Sequence, residues 1–398
     1  MHQSFQLLDH FLLSYQSLWR FEPFHACSND ASLWLDEYPD LSLWLDGLSR
    51  SDIEMFKSDD KALLEAVAHF IPETCIASQL TQLSEATQSL LILDRNLEVG
   101  VPGRKLAQIK SMSAAALSEH KGEEWLEWCA GKGFLGRILS QQSKEKVTSF
   151  EWQQSLCDSG TAAANQQALN MQFIQGDAFS TDASQVFNCK QHAVALHACG
   201  DLHVRLLELA TQNQLPAITF SPCCYHLIRS DEYQAMSIFA KQSSLKLTQS
   251  ELRIPLQETV TGGERVKRHR QHEMIYRLGL NHMLVNELHQ TEYCPIPSIK
   301  KSQLSEGFEA FCKWAIDAKN FDMPKVDFDY YMHVGETLFW KMEKLSLVQQ
   351  IFRRPLELWL AYDKALYLEE KGYDVSIKTF CNKQVSPRNI LVHAQKRQ

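Results

Sequence analysis

Trp125-Leu126-Glu127-Trp128-Cys129-Ala130-Gly131-Lys132-Gly133-Phe134-Leu135-Gly136-Arg137 is the stretch on which the reading of the chain turns. A short apolar run enters a loop whose glycines follow the G-x-G-x-x-G spacing, and an amphipathic segment leaves it. Such a loop lets backbone approach a ligand closely and presents helix N–H groups to it. Outward from the loop, Val147 to Phe150 ends at Glu151, Phe173-Ile174 ends at Asp177, Val194 to Leu196 ends at His197, and Ala217 to Phe220 ends at Ser221-Pro222. Short apolar runs separated by helical stretches predict an α/β doubly wound sheet, whose ligands bind at the carboxyl ends of the strands. Val375 to Phe380 and Ile390 to Val392 read as a hairpin that returns to that sheet.

Glu151, twenty residues beyond Gly131, stands where an acid grips the two hydroxyls of a ribose. Loop and acid together suit NAD and S-adenosylmethionine alike. Three details favour the second. Glu127 ends the first strand, where an acid can face the ammonium of a methionine moiety and dinucleotide enzymes keep an apolar residue. Asp177 ends the third, placed to accept the exocyclic amine of adenine. The terminal hairpin is the third detail. The expected cofactor set is therefore Glu127, Cys129, Ala130, Gly131, Gly133, Glu151, Asp177, Ala178 and His197.

The segments Glu-x-Cys-Ala-Gly-Lys-Gly-x-Leu-Gly-Arg at 127 to 137, Leu-His-Ala-Cys-Gly-Asp-Leu at 196 to 202, Pro-Cys-Cys-Tyr-His at 222 to 226 and Ser-Pro-Arg-Asn at 386 to 389 resemble the class I methyltransferase domain of the methyltransferase-like 25 type. They are more distantly similar to eukaryotic tRNA ribose 2′-O-methyltransferases. The resemblance covers about residues 100 to 227 and the terminal hairpin. It implies a Rossmann-like sheet completed by that hairpin, S-adenosyl-L-methionine as cofactor, transferase activity and RNA modification. The chain departs from the pattern at Cys129, where many class I enzymes have the first glycine of the loop, and at Glu127, which replaces the commoner aspartate.

Methyl transfer from a sulfonium is an in-line displacement, accelerated mainly by alignment, with a base needed only where the acceptor must lose a proton. His197 and His226 have the ordinary pKa for such a base, and Cys223 is a candidate nucleophile toward a pyrimidine carbon. The competing reading is structural: histidines that hydrogen-bond loop backbone, and small thiols packed near the adenosine. No metal is expected from Cys199, Cys223, Cys224 and His226, because adjacent cysteines rarely turn both sulfurs to one ion and no chelating short spacing is present.

The net charge of −8 argues at first against a nucleic-acid partner. Residues 1 to 60 hold all of that excess, eleven acids against three bases, and the remainder balances at 37 of each sign. Lys267, Arg268 and Arg270, in the densest basic run, and Arg388 are the candidate substrate contacts. RNA is the favoured substrate class, a protein side chain the next. A cofactor-binding scaffold without catalysis and an NAD-linked oxidoreductase are the rivals of other classes.

Four regions are expected: an acidic helical domain at 1–99, a methyltransferase core at 100–227, a mostly helical insertion at 228–371 with a helix opening at Pro355 and closed by Gly372, and the hairpin at 372–398. Phe5, Leu8, Phe11, Leu12 and Trp19 recur at helical steps, and Trp34, Leu35, Leu43, Trp44 and Leu45 continue the apolar theme as core. The odd count of 11 cysteines, the absence of a basic leader at the start and of any long apolar run predict a cytoplasmic chain with reduced thiols and no membrane association.

Overall fold

The computed structural model describes residues 1–28, 34, 36–257, 264–291 and 293–398. Its described residues fall into two compact units, one of residues 1–14, 77–260 and 353–398, the other of 15–76 and 261–352. Among the described residues no helix is long and apolar enough to cross a membrane.

The first unit is built on a seven-stranded sheet: β1 Glu124–Trp128, β2 Lys146–Glu151, β3 Met171–Gln175, β4 Gln191–Ala195, β5 Ala217–Phe220, β6 Tyr373–Thr379 and β7 Ile390–Lys396. The spatial order is β3-β2-β1-β4-β5-β7-β6. Strands β1 to β5 run parallel, and β7 lies antiparallel between β5 and β6. Helices cover both faces of a parallel sheet, so its central strands must be apolar on both sides. All five residues of β4 and all four of β5 are buried, and four of five in β1.

On one face the helix Gly103–Ser118 and the helix Phe134–Ser143 cover the sheet. Ile109, Met112, Ala115, Ala116, Leu135, Ile138 and Leu139 pack with Trp125, Val147, Val194 and Leu196 in one cluster, which Phe380 and Leu391 of the hairpin complete. Each fully buried leucine or isoleucine there contributes about 1.5–3 kcal/mol. Helix Gln154–Gln166 approaches β3 closely enough that a Cβ on Gly160 would stand 2.2 Å from the Phe173 ring.

The units cross the boundaries expected from sequence. Helix His2–Ser14 belongs with the sheet, burying Phe5, Leu8, Phe11 and Leu12 while Asp9 Oδ1 accepts from Trp359 Nε1 at 2.8 Å. Residues 84–86 add to the sheet as well, with Thr379 N–H donating to Ser84 O and Ala86 N–H to Thr379 O. An edge strand such as β6 leaves one row of backbone groups unpaired, and this segment satisfies part of it. In the second unit, residues from 15–76 are held by residues from 261–352: Gln349 Nε2 donates to the carbonyls of Trp19 and Phe21, and Lys344 Nζ to that of Asp46.

Two further expectations change. The helix expected to open at Pro355 runs from Phe328 to Glu370 with Pro355 inside it, so the proline does not mark a start. Burial of the flanking residues Phe352, Leu356 and Trp359 outweighs the loss of one helical hydrogen bond. Gly372 does follow the end, at φ +88°. In the apolar theme, Trp34 and Leu45 are buried but Leu43 is 64% exposed, and Leu35 lies outside the described residues.

Candidate active site

At the carboxyl ends of β1 and β4 the first unit opens into a cleft of about 810 Å³. Glu127, Trp128, Cys129, Ala130, Gly131 and Lys132 form its floor, and Leu196 and His197 one flank. Arg104, Lys105, Gln108 and Ile109 of the helix Gly103–Ser118 face Val385 to Arg388 of the β6–β7 connection across it. Gln108 Nε2 donates to Ser386 Oγ at 3.3 Å. Arg388 is tied down in turn, its guanidinium donating to Leu256 O.

The glycine loop divides its labour. Gly131 lies at φ +60°, and a Cβ there would meet nothing within 4 Å, so its missing side chain leaves cleft space open. Its N–H donates to Glu151 Oε2 at 2.8 Å, and Glu151 Oε1 accepts from Gln153 N–H. The ribose acid predicted at the end of β2 is thus fixed beside the loop. Gly133 does not line the cleft: it caps the helix Phe134–Ser143 at φ +68°, and a Cβ would stand 2.5 Å from the Phe173 ring. Cys129 holds a left-handed φ of +56°, the conformation for which glycine is the default.

Glu127 is 3% exposed, paired in register with Ser149, whose hydroxyl donates to its Oε2 at 2.7 Å. Burial drives its pKa up to about 7, although Ser149, the Gly136 N–H, Arg137 and the Leu135 N–H all favour the carboxylate. Gly136 is required for that contact, since a Cβ there would stand 2.5 Å from Glu127 Oε2. His197 turns its ring into the cleft, where crowding by protein atoms and then Lys105 lower its pKa. It is therefore neutral near pH 7 and able to accept a proton.

Other predicted residues stand apart from the cleft wall. Asp177 is exposed two residues past β3, where its Oδ1 accepts from Phe179 N–H, and Ala178 is buried. Trp152, 61% exposed, follows Glu151 directly, and Phe179, 37% exposed, follows Ala178. Lys267, Arg268 and Arg270 fall in the helix Glu264–Leu288 of the second unit, whereas Arg388 lines the cleft. Sequence reasoning passed over Arg104, Lys105 and Lys132. Among the described residues lining the cleft, they and Arg388 make four cations against one acid, Glu127.

The loops after β4 and β5 are sewn together. Gly200 N–H donates to Cys223 O, Asp201 N–H to Leu227 O and Arg229 N–H to Asp201 Oδ2. Cys199, Cys223 and Cys224 bring their sulfurs within 4.8 Å of one another, which corrects the expectation that adjacent cysteines diverge. Cys224 adopts a left-handed φ of +47°, breaking the extended alternation that sends neighbouring side chains to opposite sides. Thiol donation from Cys199 and Cys223, helped by His226 and Arg388, holds Cys224 well below the ordinary thiol range. Donation to Cys199 and Cys224 and then burial push Cys223 well above it. Burial and then Arg253 lower the pKa of His226, and its Nδ1 is buried with no hydrogen-bond partner among the described residues.

The family model described as "Methyltransferase domain" matches residues 104–231, the stretch that builds β1 to β5 and most of the cleft. Residues 104–231 match a methyltransferase domain. The reversed β7 between β5 and β6 is the sheet that this assignment implies, and S-adenosylmethionine, rather than NAD, is the cofactor of such a domain. A search of curated proteins gives no match. Among solved structures, the chain is similar to the Pyrococcus abyssi tRNA (uracil-54, C5)-methyltransferase with S-adenosyl-L-homocysteine, at 16% identity, TM-score 0.24, over 29% of this chain and 28% of that one. It is also similar to a geranyl diphosphate methyltransferase with SAM, at 14% identity, TM-score 0.24, over 35% and 63%. A third is the bifunctional kinase-methyltransferase WbdD, at 12% identity, TM-score 0.25, over 40% and 36%. The methyltransferase domain here thus spans less than two thirds of each of these chains, and likenesses so partial bear on neither substrate nor partner.

Proposed function

We propose that the chain is an RNA methyltransferase that binds S-adenosylmethionine in the cleft at the ends of β1 and β4. The observation that carries the substrate class is the cationic cleft: Arg104, Lys105, Lys132 and Arg388, against one acid, Glu127, among the described residues that line it, suit a phosphate backbone.

The residues present fit the cofactor. The cleft volume is that of a small-molecule site, and the open space at the Gly131 Cβ position admits a ligand against the loop backbone. Glu127 would hold the methionine ammonium and Glu151 the ribose hydroxyls. Asp177 would take the adenine amine, with Trp152 or Phe179 against the base. When bound, the sulfonium supplies an electrophilic methyl, and the positive charge on its sulfur vanishes on transfer. Lys105 and Arg388 would fix a phosphate of the acceptor, and neutral His197 would take a proton from an acceptor hydroxyl.

Transfer of tritiated methyl into RNA and protein fractions from a strain lacking the gene tests this reading. Label in RNA supports it, and label confined to protein replaces it with the protein reading. Cofactor binding without transfer to either pool would leave a scaffold. A cytoplasmic location belongs to the same proposal, and localisation of a tagged chain checks it.

A further inference from the structure

We infer that Cys199, Cys223 and Cys224 form a three-thiolate site for a zinc ion, at the junction of the β4 and β5 loops. Their sulfurs lie within 4.8 Å of one another, Cys199 Sγ and Cys223 Sγ at 3.4 Å. Thiolates held about 2.3 Å from a tetrahedral zinc stand roughly 3.8 Å from each other, so closure onto an ion needs only small side-chain shifts.

The framework around the sulfurs is fixed independently of them. Gly200 lies at φ +56°, and a Cβ on it would stand 2.0 Å from Leu227 O, so only glycine lets the loops meet. Backbone bonds from Gly200 to Cys223 and from Asp201 to Leu227 set the register of that meeting. The left-handed Cys224 then turns a Cys-Cys pair, ordinarily divergent, into two convergent donors. Strain at a non-glycine residue is commonly retained where it positions functional groups.

Three sulfur donors, with no fourth histidine, cysteine or carboxylate within the same distance among the described residues, is the donor count of a catalytic rather than a closed structural zinc site. The fourth position is left to water or to an oxygen or sulfur of a substrate. On binding, each thiol that still carries a proton gives it to solvent as its S–Zn bond forms. The methyl-donor reading is not needed for this site, since its ligands lie outside the glycine loop and the cleft wall.

The test uses the full chain purified with Zn²⁺ and then dialysed. Metal analysis is expected to give about one zinc per chain, retained in Cys189→Ser, a change at an exposed cysteine, and weakened on the order of a hundredfold in Cys199→Ser and Cys223→Ser. Because either variant can fail to fold, Co²⁺ is added to the wild-type chain in parallel. A near-ultraviolet sulfur-to-cobalt charge-transfer band with tetrahedral visible bands is expected. Wild-type protein that takes up no Zn²⁺ and gives no such band overturns the proposal. So does a Cys199–Cys223 disulfide formed under mild oxidation in a chain indifferent to metal.

Discussion

Replacing Glu127 with glutamine should stabilise the free protein and weaken cofactor binding at the same time. A carboxyl raised on folding from 4.5 to about 7 binds more protons folded than unfolded through that interval. Its contribution is therefore neutral below pH 4.5 and becomes a cost of about 3 kcal/mol as pH rises past 7. Glutamine removes the cost, so Glu127→Gln should melt higher at pH 8 and unchanged at pH 4.5. Binding runs the other way. If only the carboxylate pairs with the cofactor ammonium, the ionised fraction makes wild-type affinity rise about fifteenfold from pH 5.5 to pH 7, a window below the titration of the ammonium itself. Calorimetry in two buffers of different ionisation enthalpy reads both the affinity and the proton released. In Glu127→Gln the slope should flatten to whatever His197 contributes, and no proton should leave from position 127. A variant that keeps the full wild-type slope would refute the pairing of Glu127 with the ammonium.

Other perturbations read other parts of the structure. Gly131→Ala places a methyl in open cleft space at φ +60°, so S-adenosylhomocysteine binding should weaken at least about tenfold while stability falls by only about 1–2 kcal/mol; unchanged affinity in a titration would remove the loop from the site. His393, held to about 4 mainly by burial, lies in a buried chain with Thr219 and His192. Its neutral folded form is favoured above the unfolded pKa and lost on acidification, so stability should fall by up to about 3 kcal/mol between pH 6.5 and 4. A His393→Gln chain with the same acid profile in urea titrations would contradict this. Asp363 accepts from Met236 N–H, Ser237 N–H, the Ser237 hydroxyl and Tyr233 beside the buried Lys364, so Asp363→Ala should cost about 3–5 kcal/mol in denaturant midpoints. A loss under 1 kcal/mol would show the network to be dispensable.

The parallel strands were legible because burial on both faces forces short apolar runs, and the residues ending those runs fall at the ligand edge by topology alone. Glu127, Gly131 and His197 could be placed on that basis. The cleft's basic wall could not: Lys105 and Arg388 are more than 280 residues apart, and only the hairpin packing opposite the helix Gly103–Ser118 brings them to one opening. The continuity of helix Phe328–Glu370 through Pro355 was hidden for a related reason, since local propensity argues for a break that burial overrides. The division at residue 99 failed because helix His2–Ser14 buries its apolar face in the sheet unit. Deletion of residues 1–60 would strip that helix along with the acidic segment, and so cannot isolate the role of the acidic segment.

Sequence by itself thus determined the α/β sheet, the glycine loop and the acids at strands one and two, because periodicity and spacing along the chain encode them directly. Tertiary structure alone decided that Gly133 packs against Phe173, that burial raises Glu127 to about 7, and that three sulfurs distant or divergent in sequence converge. Those outcomes depend on desolvation, on a left-handed turn at Cys224 and on two loops meeting at Gly200, quantities that exist only once the strands are side by side.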